Sequence, residues 1–214
     1  MFVKQWMATE VVTVAPSESI AVAGKLLKGH KIRRLPVVEA GVLVGIISPR
    51  DLEKVMPSML DSEGASEEEF IAVNTEIRTV MTASPITVEP DDTLVEAIKK
   101  MRRNKIDGLP VVEGMQLVGI LSITDILDAF LDIMTGGQAG TRFDLKIDQN
   151  PEAFYKMIKA FQKQNKEILA ISQHYRYSSE HHLVTVQIKE NDNDELVDML
   201  WNSQVTVERI TPVS

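Results

Sequence analysis

Two short segments hold the residues best suited to chemistry: Gly45-Ile46-Ile47-Ser48-Pro49-Arg50-Asp51 and Gly119-Ile120-Leu121-Ser122-Ile123-Thr124-Asp125. In each, a hydroxyl stands three residues before a carboxylate, behind a glycine-led apolar run. Ser-x-x-Asp in such a place is a helix N-cap with an acidic residue at N3. Its duplication behind an apolar strand favours a second reading, a pair of polar groups that binds a ligand. One residue can do both. Nearby stand Arg33 and Arg34. A guanidinium fork makes bidentate bonds to phosphate. The matching positions downstream are Asp107 and Gly108, where an acid would repel phosphate. His30 and Lys31 add positive charge.

No catalytic signature accompanies these residues. Gly-x-Ser-x-Gly, a Walker loop and His-Glu-x-x-His are all missing, so the expectation is a protein that is not an enzyme. Cys is absent, which excludes disulfides, thiolate metal sites and Cys nucleophiles. His181 and His182 are adjacent, would point to opposite faces of a strand and could not easily share a metal. They and His174 read as exposed polar residues. Trp201 reads as a core or subunit-contact residue.

The elements that must position the Ser-Asp pairs are themselves repeated. Residues 7–52 align without a gap on residues 81–126, and 19 of the 46 positions are identical. Internal repetition sets the architecture first. Two copies of a small unit pack around a pseudo-twofold axis, and the clefts at such junctions are common ligand sites. Each copy has the same order. A β-prone segment (Val11–Val14, Ile86–Val88) leads through Pro16 or Pro90 to a helix. Thr93 and Glu96 have capping-box spacing, and Leu94, Ala97, Ile98 and Met101 fall on one face. Two buried strands come next, Leu35–Val38 with Val42–Ile47 and Leu109–Val112 with Leu117–Leu121. A second helix begins near Asp51 and near Asp125.

The boundaries read as 1–60 for the first repeat, 61–80 between repeats, 81–134 for the second and 135–140 for a glycine-rich linker. Within 61–80, Asp61–Glu69 is an acidic loop, and Ile77 and Val80 have helical spacing. The linker is no dinucleotide loop, because a helix rather than a strand precedes it. Residues 141–214 differ in kind. Strand Phe143–Ile147, helix Pro151–Gln164, strands Ile168–Tyr175 and His182–Lys189, helix Asp194–Ser203 and strand Val205–Ile210 give βαββαβ, a ferredoxin-like order. His174-Tyr175-Arg176-Tyr177 reads as a binding edge or as a strand end running into a Ser178-Ser179 turn. The fold class is mixed α/β (α+β).

Hydrophobic residues make up 44% and charged residues 25% of the 214, and the net charge is −8. That balance suits a soluble globular chain. It argues against nucleic acid, which needs a basic face, and against anionic membrane. With no Cys, no signal sequence and no apolar run of membrane-spanning length, the expected location is cytoplasmic.

The repeats resemble a pair of CBS domains, the tandem called a Bateman module. The residues that carry the resemblance are Met7 and Met81, the two Leu-Pro-Val-Val blocks, and above all the two glycine-led Ser-x-x-Asp segments. It covers residues 1–134. The C-terminal third is similar to an ACT domain in element order and length, although Glu152 stands where that family's turn carries glycine. A CBS pair followed by an ACT-like domain is similar to the acetoin-utilisation AcuB-type proteins. The resemblance implies a regulatory module that senses an adenine nucleotide (AMP, ADP or ATP) or S-adenosylmethionine, with no other cofactor and no metal. It implies that Ser48 and Asp51 hold the ribose in one pocket and Ser122 and Asp125 in the other, with Thr13 and Thr87 nearby. Pro36 and Pro110 of the Leu-Pro-Val-Val blocks join the candidate set, and Arg33 or Arg34 is the phosphate candidate. The two pockets should be unequal, one tolerating phosphate and the other empty or suited to an uncharged adenosyl group. A homodimer is the implied assembly. Two rival readings stay open: an interaction scaffold with degenerate pockets, and an amino-acid sensor acting through residues 141–214.

Overall fold

A computed structural model describes residues 1–55, 74–174, 180–189 and 194–213. The acidic loop Asp61–Glu69, the start of the segment Phe70–Met81 and the Tyr175–Ser179 stretch lie outside the described residues. Contacts divide the chain into two units, Met1–Ile126 and Leu127–Ser214.

In the first unit, copy one contributes α1 (Ile20–Gly29), β1 (Leu35–Glu39), β2 (Val42–Ile47) and α2 (Pro49–Glu53). A short strand, β3 (Thr82–Ala83), precedes the rest of copy two, which contributes α3 (Leu94–Asn104), β4 (Gly108–Glu113) and β5 (Gln116–Ser122). Helix α4 (Ile123–Thr135) begins in this unit and continues into the second. The sheet order is β1-β2-β5-β4, with β3 on β2. The repeat is visible in that order, because β1 and β2 correspond to β4 and β5. Both hairpins even carry a bulge at the same place, Val37/Val38 and Val111/Val112.

The local reasons are those of the sequence pattern. At α3, Thr93 Oγ1 accepts from Glu96 N–H at 3.2 Å, and the Glu96 carboxylate accepts from Thr93 N–H at 3.0 Å. Leu94, Ala97 and Met101 form its buried face. In copy one Ile20, Ala23 and Leu27 do the same and join Leu35, Val37, Ile47 and Ile77 in one core. After each helix a lysine, Lys31 or Lys105, takes a left-handed conformation with φ near 55°. That costs an L-residue roughly 1–2 kcal/mol, so the turn is imposed by the buried strand to which it leads.

The β-prone segments differ from expectation. Val11–Val14 and Ile86–Val88 form no strands; each makes one parallel bridge, Val14 to Val37 and Val88 to Val111. The reason is that the chain ahead of each repeat is committed to the other repeat. Ala8 bridges Ile120 of β5, and Thr82 pairs with Ile46 of β2. Val3 N–H bonds to Asp92 O at 2.9 Å, and at the equivalent place Ile77 N–H bonds to Glu18 O at 2.8 Å. The motif glycines answer to this exchange. A β-carbon at Gly119 would lie 2.7 Å from Met7 Sδ and 3.0 Å from Ala8 O. A β-carbon at Gly45 would run into Met81 Sδ.

In the second unit, α4 runs to Thr135, so Gly136 to Ala139 make the turn, with φ of 62° at Gly136 and 65° at Gly137. Then come β6 (Gly140–Asp148), α5 (Pro151–Lys163), β7 (Ile168–His174), β8 (His181–Ile188), α6 (Asp194–Asn202) and β9 (Thr206–Val213). Every strand pair is antiparallel and the order is β7-β8-β6-β9. That is the split βαβ arrangement. Asn150 caps α5 by accepting from Glu152 N–H at 2.9 Å, and Pro151 fills the first turn, where its missing N–H costs nothing. Phe143, Leu145 and Ile147 of β6 pack with Met157 and Phe161 of α5 and Leu196 and Leu200 of α6. Trp201 is outside that core and 55% exposed, because α6 turns Leu196 and Leu200 inward.

Candidate functional site

The two Ser-x-x-Asp motifs fold alike. In copy one Asp51 Oδ2 accepts from Ser48 N–H at 3.0 Å and from the Ser48 hydroxyl at 2.6 Å. In copy two Asp125 Oδ2 accepts from Ser122 N–H at 2.6 Å and from its hydroxyl at 2.8 Å. Both are helix caps, and the cap leaves one carboxylate oxygen over. The copies part at that second oxygen. Asp51 Oδ1 takes Lys54 Nζ at 3.0 Å. Asp128 occupies the position equivalent to Lys54, and Asp125 Oδ1 has no partner among the described residues. Burial pushes the Asp51 carboxyl up, but the bonds from Ser48 and Lys54 outweigh it and hold the group below the ordinary aspartate value. Ser48 is buried, while Ser122 is half-buried.

Asp125 faces a cavity of about 440 Å³ between the repeats. Copy two supplies Asp107, Gly108, Ile120, Ser122, Thr124 and Asp125. Copy one supplies Lys31, Ile32, Arg33 and Arg34. The crossing segment closes one side with Ala8, Glu10, Val11 and Val12. The apolar side chains could take a flat ring, and the polar ones lie at its margins. Arg34 is not free: its Nε and Nη2 meet Asp107 Oδ1 at 2.6 and 2.5 Å. Lys31 and Arg33 make no ion pair among the described residues.

Of the sequence candidates, the structure brings Arg33, Arg34, Ser122 and Asp125 into this one cavity. The others stand apart from its walls. Thr13 is exposed, and Thr87 is half-buried with its carbonyl accepting from Lys100. Pro36 and Pro110 are buried, and their carbonyls accept from Val14 and Val88. Ser48 and Asp51 form the cap of copy one. Glu10 and Thr124 line the cavity and escaped sequence reasoning. Thr124 had a signal, its place inside the motif; Glu10 had none, because its contribution depends on the crossing segment.

A second cavity of about 370 Å³ lies in the C-terminal unit, where Asp148 to Pro151 turn into α5, beside Phe154, Tyr155, Gln173 and His182. The histidines there are not simply exposed. His181 Nε2 lies 3.5 Å from Asp148 Oδ1, and His182 Nδ1 lies 2.8 Å from Gln173 Nε2. Among the described residues no group of three or more His, Cys, Asp or Glu side chains could hold a metal ion. No described helix is long and apolar enough to cross a membrane.

The chain is similar to solved CBS-pair structures. One is the CBS domain pair of the protein MJ0100 in complex with 5′-methylthioadenosine and S-adenosyl-L-methionine, 31% identical, covering 61% of this chain and 95% of that one at a TM-score of 0.51. A second is CBSX2 of Arabidopsis thaliana in complex with AMP, 30% identical, covering 62% and 97% at 0.54. A third is a putative acetoin utilization protein (AcuB) from Vibrio cholerae, 28% identical, covering 62% and 91% at 0.52. The CBS domain family matches residues 3–58 and 77–132, just over half of the chain, and with two such domains built into one sheet this protein belongs to the CBS-domain family.

Proposed function

We propose that this protein is a non-catalytic regulatory module that senses an adenine nucleotide or adenosyl compound in the cavity between its repeats. The observation that carries the reading is the convergence of Asp125 and Ser122 from one copy with Lys31, Arg33 and Arg34 from the other. The unpartnered oxygen of Asp125 is suited to the vicinal hydroxyls of a ribose, as the acidic residue of a dinucleotide fold is. The free cations are suited to a phosphate. Relatives solved with AMP, 5′-methylthioadenosine and S-adenosyl-L-methionine support the ligand class. Ser48 and Asp51 act as the structural cap of copy one, so the two sites of the pair are unequal. Thr13, Thr87, Pro36 and Pro110 support the strands around them. The setting is the cytoplasm.

The signal leaves through α4, which begins at the cavity wall with Ile123 and leads into the ACT-like residues 141–214. A ligand shifts such an equilibrium only by its difference in affinity for the two states. Leu127, Phe130 and Leu131 of α4 are each more than half exposed. A second copy of the chain would cover them, giving a homodimer. Sedimentation of wild type and Leu131→Asp tests this: a dimer that dissociates in the variant is expected, and a monomeric wild type overturns it.

Thermal unfolding with AMP, ADP, ATP, S-adenosylmethionine and amino acids tests the ligand. At about 100 times its Kd a ligand of the folded state adds roughly 2.7 kcal/mol, which raises the midpoint of a chain this size by about 5–10 °C. A rise with an adenine compound that is lost in Asp125→Ala is the expected result. No response to any nucleotide at millimolar concentration favours the scaffold. A rise with an amino acid alone moves the function to the cavity at Asp148–Tyr155, the observation that keeps this second reading open.

A further inference from the structure

The charges around the cavity bear on how much phosphate its ligand carries. Three cations line it, Lys31, Arg33 and Arg34, and three carboxylates, Glu10, Asp107 and Asp125. One pair cancels directly. Arg34 and Asp107 join across the repeats, with two guanidinium nitrogens on Asp107 Oδ1. The pair is built into the fold. A β-carbon at Gly108 would lie 3.2 Å from Arg34 Cγ, so the glycine makes room for the arginine stem. The Asp107 carbonyl accepts from Ile123 N–H at 2.9 Å, which fixes its backbone beside Ser122. Copy one has no such tether, because Pro49 stands at the position of Ile123 and lacks an N–H.

Two cations, Lys31 and Arg33, therefore remain for a ligand. They suffice for one dianionic phosphate, and Arg34, neutralised by Asp107, offers no third cation to the phosphates beyond it. We propose that Asp107 sets the specificity of this cavity: by holding Arg34 it matches the site to an adenosine with at most one phosphate and turns away di- and triphosphates. The inference rests on the adenine reading of the cavity. Position 107 is where copy one has Arg33, so the exchange of an arginine for an aspartate in one repeat supplies the discrimination.

Isothermal titration of the full chain with adenosine, AMP, ADP and ATP at fixed ionic strength tests it in wild type, Asp107→Asn and Arg34→Gln. Wild type is expected to bind AMP roughly tenfold tighter than ATP. Asp107→Asn should raise ATP affinity roughly tenfold and move adenosine less than about twofold. Arg34→Gln should widen the AMP-to-ATP ratio, since it leaves Asp107 uncompensated. That variant and the wild-type ratio decide the matter should Asp107→Asn fold poorly. A wild type that prefers ATP to AMP, or an Asp107→Asn variant that shifts adenosine and ATP by one factor, overturns the role of Asp107 and leaves the adenine reading standing. No binding by any of the four compounds overturns the adenine reading, and this inference with it.

Discussion

The two repeats share a motif and differ in what it is free to do. In copy one both Asp51 oxygens are engaged, by Ser48 and by Lys54, and Ser48 is buried. In copy two the cap uses one oxygen of Asp125 and the cavity faces the residue. The substitutions that separate them at the motif and cavity include Lys54 against Asp128, Pro49 against Ile123, Arg50 against Thr124 and Arg33-Arg34 against Asp107-Gly108. A duplicated motif is thus one structural device with two chemical outcomes, decided by the residues beside it.

The largest expected effect breaks the comparison at its working end. Asp125→Ala should weaken adenine-ligand binding about 100-fold, near 2.7 kcal/mol, by titration calorimetry. Asp51→Ala should change it less than about twofold. Equal losses would mean that both motifs bind.

Next come the glycines that admit the crossing methionines. Gly119→Val and Gly45→Val should each cost about 1–3 kcal/mol by overpacking, read from denaturant midpoints. Gly119→Val should cost slightly more, because backbone yields less than a methionine tail and its backbone neighbour, Ala8 O, is 3.0 Å from the new carbon against 3.2 Å for Thr82 O at Gly45. A neutral Gly119→Val would argue against the exchange of segments between repeats.

Smaller still is the cap itself. Asp51→Ala should lower stability by about 1 kcal/mol, with ligand-free Tm as the measure. An unchanged Tm would leave copy one's motif without a role.

The smallest effect is a pH dependence. The folded-state pKa of Asp51 lies below its ordinary value of 3.8, so its stabilisation is present above pH 4 and is lost as pH falls through the folded value. Asp92, bonded to Glu89 N–H and Lys100, and Glu96, bonded to Thr93, are lowered too and act in the same direction. Asp51→Asn should flatten the acid limb of Tm against pH below about 4 without abolishing it. A limb as steep as wild type would assign the acid sensitivity elsewhere.

Much of the fold is legible in the chain because its determinants are local. The capping box at Thr93, three of the four expected face residues of its helix (Leu94, Ala97 and Met101, with Ile98 left 40% exposed) and the paired Leu-Pro-Val-Val strands come from spacing alone, the strands within a residue or two of their observed ends. The errors share one cause. Val11–Val14 and Ile86–Val88 have strand composition, yet each keeps a single bridge, to Val37 or Val111 of its own repeat, because the chain just ahead of it pairs with the opposite repeat through Ala8 or Thr82. Trp201 and the histidines of β8 likewise depend on which face a distant element covers.

The sequence by itself determined the duplication, the twin caps and the candidate chemistry of Ser, Asp and Arg, because each rests on contacts within a few residues. Only the tertiary structure decided that Arg33 and Arg34 share a cavity with Asp125 rather than with Asp51, that Met7 and Met81 explain the motif glycines, and that Asp107 holds Arg34. Those contacts join residues far apart in the chain, 73 positions for Arg34 and Asp107, across the pseudo-twofold junction. Spacing along a chain carries no record of which copy's strand lies against which.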